Sequence, residues 1–205
     1  MAGNEPSATS DKKPKILFIV GSLRKRSFNR QLAEAAQNVI GDRADTSLLE
    51  WADVPVFNQD EEFPTPAPVR RVRDAVVAAD ALWFVTPEYN HSMPGGFKNL
   101  IDWLSRPLQD GSPAVIMKKT ATVSAFSGGS CGRYVLAAVL PTFDFLQLNV
   151  IKEPPTSGGF DRQEFETSVL QVTDTMRADL SRQADALLKE LIRRLIGQKV
   201  CLALI

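Results

Sequence analysis

From Lys15 onward the chain alternates short, uninterrupted apolar runs with longer segments of helical period, and few folds accommodate that pattern. KILFIVG (15–21) has strand length and is apolar almost throughout. SFNRQLAEAAQNVI (27–40) follows, with Leu32, Ala35, Ala36 and Val39 at helical spacing and Gly41 behind them as a stop. A second strand near 46–50 leads into the proline-containing loop DVPVFNQDEEFPTPAP. Pro66 and Pro68 stand where the start of a helix tolerates proline, which predicts a helix to about residue 79. ALWFVT (81–86) is a third strand, GFKNLIDWLS (96–105) a helix and KTATVSAFS (119–127) a fourth strand. RYVLAAVLPTFDFL reads as a helix interrupted near Pro141, and LNVI (148–151) as a fifth strand. Residues 161–196 read as one long amphipathic helix, with an apolar stripe at Leu180, Ala184, Leu187, Leu188, Leu191 and Leu195.

Strands without polar alternation are buried on both faces, so the pattern predicts an α/β fold: a doubly wound, five-stranded parallel sheet in the order 2-1-3-4-5 with helices on both faces. In such a sheet, function collects at the carboxyl ends of the strands, beside the switch between strands 1 and 3. The loops after strands 1, 3 and 4 are therefore the candidates.

Composition excludes several classes. At 205 residues one domain (15–196) is expected, burying roughly 70 % of its unfolded surface. Twenty-four basic and twenty-four acidic side chains cancel, leaving no basic field for nucleic acid, and no apolar run has the length of a membrane span. One histidine and two cysteines, Cys131 and Cys201, cannot make a four-ligand zinc site or a disulfide scaffold, so no metal is expected. The polar N-terminus (1–14) lacks the apolar core of a secretory signal and reads as a flexible tail, which predicts a soluble, cytoplasmic chain. Residues 197–205 form an apolar tail to which the sequence assigns no role.

The loop after the first strand carries Ser22, Arg24, Ser27, Phe28 and Asn29. Hydroxyls, an amide and a guanidinium between a strand end and a helix N-terminus favour a phosphate, because free amides and the helix dipole already attract an anion there. Ser27 as a simple helix cap, with the cations solvated, is the plainer reading. Neither a Walker A loop nor a G-x-G-x-x-G fingerprint is present, so a mononucleotide fits better than a dinucleotide or triphosphate. The loop after the third strand, TPEYNHSMPGGFKN (86–99), is bracketed by prolines and released by glycines. A stiff loop of this kind suits a planar heterocycle held along one edge, with Tyr89 and Trp103 near it; a Pro/Gly turn with Tyr89 in the core is the alternative.

GSLRKRSFNR (21–30), followed at this distance by PEYNHSMPGGFKNLIDWLSR (87–106), resembles the NADPH-dependent FMN reductase family, which includes bacterial quinone and chromate reductases. The resemblance covers roughly 15–160 and implies a flavodoxin-like fold, an FMN cofactor, and NADPH or NADH as hydride donor. It implies ping-pong transfer through the flavin N5 to small-molecule acceptors: quinones, free flavin, azo compounds or metal oxyanions such as chromate. Residue by residue, Ser22, Arg24, Ser27 and Asn29 would hold the phosphate, with Phe28 in the same segment. Pro87, Glu88, Tyr89 and Asn90 would border the isoalloxazine, largely through the main chain. A serine and glycine amides after the fourth strand would complete the pocket, with Ser124, Ser127 and Gly128 as candidates and the choice between the serines open. Cys131 stands where relatives have an arginine linked to subunit contacts, while Tyr134 matches them; a homodimer or homotetramer is implied.

No catalytic side chain is required, since flavin carries the chemistry and the protein supplies binding and electrostatics. The acidic loop 60–62, beside Phe57 and Phe63, is a candidate wall of the substrate entrance, of this subunit or of a neighbouring one. Two other classes remain to be weighed. A flavodoxin-like electron carrier would be expected to be strongly acidic, and this chain is neutral. Gly128-Gly129-Ser130-Cys131-Gly132 satisfies the G-x-S-x-G elbow of serine hydrolases, yet no histidine follows Ser130. Cys131, without a C-x-x-C partner, reads as a buried small side chain, and His91 either orients a substrate ring or sits on a loop surface.

Overall fold

The computed structural model describes residues 13–151 and 155–202. The N-terminal tail lies largely outside them, as do the last three residues of the apolar C-terminal tail.

Strands β1 (Lys15–Val20), β2 (Asp45–Leu48), β3 (Ala81–Thr86), β4 (Thr120–Ser127) and β5 (Asn149–Ile151) form a parallel sheet in the order β2-β1-β3-β4-β5, as the pattern predicts. Every residue of β3 and β4 is buried: β3 is apolar up to its last residue, while β4 also buries Thr120, Thr122, Ser124 and Ser127. A sixth strand, β6 (Ser157–Gly159), was not anticipated; it pairs with the end of β4 at 125–127, beyond the stretch 120–122 that β5 occupies. The edge of the sheet is thus two three-residue pieces in succession, each too short to carry a periodicity.

Helices α1 (Phe28–Ile40), α2 (Ala67–Ala78), α3 (Gly95–Leu104), α4 (Arg133–Phe145), α5 (Arg162–Thr167) and α6 (Asp174–Leu202) complete the fold. One core lies between the sheet and α1 with α6, the other between the sheet and α2, α3 and α4. Two expectations are corrected. Pro141 does not interrupt α4, because Pro141 and Ala137, whose carbonyl loses its partner, both face solvent, where water replaces the bond. The long C-terminal segment is two helices, broken where Ser168 takes a left-handed conformation (φ 56°). Among the described residues no helix is long and apolar enough to cross a membrane.

Gln183 of α6 is fully buried and stitches the two layers together. Its Oε1 accepts from Ser124 Oγ (2.9 Å) and the amide of Thr156 (3.0 Å), while Nε2 donates to Thr122 Oγ1 (2.7 Å) and the carbonyl of Val123 (2.9 Å). The neighbouring Thr156 Oγ1 is buried without a partner. Replacing that hydroxyl by a methyl removes an unsatisfied group at constant shape. Thr156→Val is accordingly expected to leave the melting temperature unchanged or to raise it; a clear fall in a thermal denaturation scan would contradict this.

Candidate functional site

At the carboxyl ends of β1, β3 and β4 lies a cavity of about 180 Å³. Ser22, Arg24, Ser27, Phe28 and Asn29 line it from the β1–α1 side, Pro87, Glu88 and Tyr89 from the β3–α3 loop, and Ser127 and Gly128 from the end of β4. A second hollow of about 310 Å³ shares Ser22, Arg24 and Tyr89 with it. The chain turns into the β1–α1 loop at Gly21, whose amide bonds the Val85 carbonyl at 2.8 Å; a Cβ there would stand 2.5 Å from Thr86 Oγ1.

Ser27 has two structural positions at once. It is the N-cap of α1, accepting from the Arg30 amide at 3.4 Å, and it lines the cavity at the positive end of that helix. Arg24 lies over the Phe28 ring at 5.7 Å and donates to Ser168 Oγ, while Arg26 donates to the Thr167 carbonyl at 2.5 Å. Gln31 adds two bonds, to the Ser168 carbonyl at 3.1 Å and from the Leu170 amide at 2.8 Å. The stretch from Thr167 to Leu170, at and after the end of α5, is therefore strapped across the β1–α1 loop. Asn29 is committed elsewhere: Nδ2 donates to the Phe126 carbonyl (2.8 Å) and Oδ1 accepts from the Phe126 amide (3.1 Å). Its side chain fixes the start of α1 to β4 and is not a free phosphate donor.

Asn90 and Ser124 are not brought to the cavity. Tyr89 and Ser92 exchange backbone bonds (3.1 and 2.9 Å), with Asn90 and His91 both at positive φ, a two-residue turn for which asparagine is suited. Asn90 consequently occupies the exposed tip. Ser124 is fully buried, accepting from Trp83 Nε1 at 3.0 Å and donating to Gln183, so of the two serines only Ser127 reaches the site. Trp103, expected near the heterocycle, is instead core, donating to the Pro55 carbonyl at 2.8 Å. Phe57 packs edge-on against Trp103, and Glu62 is ion-paired with Arg106 at 3.0 Å. Neither they nor Phe63 line the cavity. Cys131, expected buried, is exposed on a turn residue with φ 52°.

Three lining residues escaped the sequence reading: Phe126, Phe160 and Phe165. Phe160 stacks on Phe28 (centroids 4.9 Å apart) and on Phe165 (5.7 Å), giving the cavity an aromatic wall. Phe160 directly follows β6, so recognising that strand would have flagged it.

Glu88 is expected to act through its main chain, but its carboxylate has a definite place. Oε2 accepts from the amides of Tyr134 (2.9 Å) and Val135 (3.1 Å), the second and third residues of α4, whose N-cap Gly132 has no side chain to offer. Burial pushes its pKa up, but hydrogen bonds from the Ser130 hydroxyl and the Val135 and Tyr134 amides, together with the nearby His91, outweigh this and hold it below the ordinary carboxylate value. Ser127 Oγ accepts from the Gly132 amide (3.0 Å) and lies 3.1 Å from Ser130 Oγ. With an acceptor-only carboxylate at the end, the chain runs Ser127 to Ser130 to Glu88. The serine of the G-x-S-x-G string is thus committed to a carboxylate, while the ring of His91 stacks on Tyr134 at 4.1 Å.

A folded-state pKa below the unfolded one means a stabilisation that is complete above the ordinary value of 4.5 and lost as the pH falls through the lower, folded value. Unfolding midpoints in urea are expected to decline less steeply over that acid range in Glu88→Gln than in the unmodified protein. Parallel declines would show that Glu88 is not the group responsible.

The arrangement fits FMN on its own chemistry: a cation, two hydroxyls and a helix N-terminus for a phosphate, and an aromatic wall for the ring system. Residues 14–163 match the NADPH-dependent FMN reductase family. The chain is 38 % identical over 154 residues to the quinone reductase of Pseudomonas putida, covering 75 % of this chain and 82 % of that one. It is 33 % identical over 166 residues to the quinone reductase of Escherichia coli, covering 79 % and 86 %. Among solved structures it is similar to FerB, a flavoenzyme NAD(P)H:(acceptor) oxidoreductase from Paracoccus denitrificans, with a TM-score of 0.76, 27 % identity, and coverage of 88 % and 98 %. Sheet order, cavity lining and sequence agree: the chain belongs to the NADPH-dependent FMN reductase family, flavodoxin-like oxidoreductases with FMN as cofactor and NAD(P)H as electron donor.

Proposed function

We propose that this protein is an NAD(P)H:quinone oxidoreductase, passing two electrons from the nicotinamide to a quinone in a ping-pong cycle. The observation that carries the reading is the cavity at the ends of β1, β3 and β4, polar and cationic on one side and aromatic on the other. Likeness to the quinone reductases of P. putida and E. coli supports quinones as the first acceptors to try. Arg24, Ser22 and Ser27 would hold the phosphate, and the backbone of Pro87 to Tyr89 would border the ring. Bound FMN supplies the two-electron chemistry; the protein binds, orients and excludes competing reactions. Free flavin, azo compounds and chromate are further acceptors of the same site.

The purified protein is expected to show the visible spectrum of oxidised flavin, bleached by NADPH or NADH without a protein partner and restored by benzoquinone. Steady-state rates with benzoquinone should exceed those with free FMN or chromate at equal concentration. Bound FMN that neither nucleotide bleaches would overturn the reading and leave an electron carrier.

A further inference from the structure

Glu88 lines the cavity, yet its carboxylate is turned to the N-terminus of α4, where it meets the Tyr134 and Val135 amides. That end of α4 carries roughly half a positive charge, and it follows directly on the β4–α4 loop that brings Gly128 to the cavity. Around the carboxylate stand the Ser130 hydroxyl, the two amides and the His91 ring, and the Arg133 guanidinium donates to the Tyr134 hydroxyl (2.6 Å). Through the Ser127–Ser130–Glu88 chain, one carboxylate joins the loop after β3 to the loop after β4.

We propose that Glu88 is a positioning residue that sets the redox poise of the cofactor: its charge screens the positive end of α4 from the flavin ring while its oxygen caps the helix. This rests on FMN occupying the cavity, and it separates two jobs one side chain performs. A cap needs an acceptor oxygen at that distance, which glutamine also has. The electrostatic job needs the negative charge. Without it the α4 terminus acts on the ring unopposed, and the reduced, more negative form of the flavin is favoured.

Two substitutions pull these jobs apart. Glu88→Gln keeps the acceptor and removes the charge. It is expected to keep FMN, to lose only the charge-dependent share of stability, less than Glu88→Asp loses, and to raise the ratio of reduced to oxidised flavin at a given potential about tenfold, about 30 mV for a two-electron couple. Reduction by NADPH should then quicken and reoxidation by benzoquinone slow in stopped-flow traces. Glu88→Asp keeps the charge but falls short of the amides, so it should lower the melting temperature and leave the potential near that of the unmodified protein. Titration of the FMN-loaded proteins against redox dyes reads the first effect, and thermal denaturation the second. An unchanged potential in Glu88→Gln overturns the proposal. So does loss of FMN from that variant alone, since the retained cap should hold the loop. FMN missing from the unmodified protein would instead defeat the functional reading on which the proposal rests.

Discussion

Replacing Gln183 by leucine should destabilise the protein by about 4 kcal/mol, because the substitution strands several buried groups at once. The Thr156 amide and the Val123 carbonyl lose a partner, and Ser124 and Thr122 must turn their hydroxyls elsewhere in a region closed to water. Each buried group left unmade costs about 1–3 kcal/mol, more than an ordinary exchange of hydrogen bonds with solvent. For a domain of this size the loss corresponds to a fall of roughly 10 °C in melting temperature. Calorimetry reads it directly; a fall below a few degrees would mean that the layer repacks around leucine. Ser124→Ala makes a sharper companion. It should cost about 1–2 kcal/mol through the orphaned Trp83 indole N–H, yet leave FMN affinity as it was, since Ser124 faces α6 rather than the cavity.

Arg24→Ala should weaken FMN binding about thirtyfold, as expected for one charge-assisted contact to a phosphate group. Its affinity should also depend less on salt, which distinguishes loss of a cation from general damage. Because Arg24 also donates to Ser168, the alanine variant alone mixes two effects. Ser168→Ala removes the tether and leaves the cation, so it should change FMN affinity far less. Equal losses in the two variants, measured by fluorescence titration of the apoprotein, would assign the effect to the strap instead. Arg24→Lys is expected to fall between, as a point charge replaces the planar fork.

Much of this architecture is legible in the chain because β1 and β3 are buried on both faces and their apolar runs show it. What escapes notice is short or exposed. β6 has three residues, too few for any period to show, whereas the equally short β5 is marked by its apolar LNVI run. The break between α5 and α6 depends on the backbone of Ser168, not on a residue type that reliably stops helices. At the site, the phosphate loop and Pro87 to Tyr89 could be read from their place after strands and from their resemblance to a family. Ser124 misled because alternation was not applied at the end of β4. Thr122, Ser124 and Phe126 share the face toward α1 and α6, and only Ser127 stands at the terminus of the strand. The aromatic wall lies far along the chain and is assembled by tertiary contact, which no local pattern records.

The Asn29 amide has a wider consequence than the loss of one phosphate donor. By giving and receiving one hydrogen bond at Phe126 it behaves as a single residue of a neighbouring strand, so the first turn of α1 is held in register with the sheet. The anion-binding end of a helix and the strand end beside it thus move as one body. Cofactor uptake at that corner meets a ready-made mould, and the entropy of shaping it is already spent in folding.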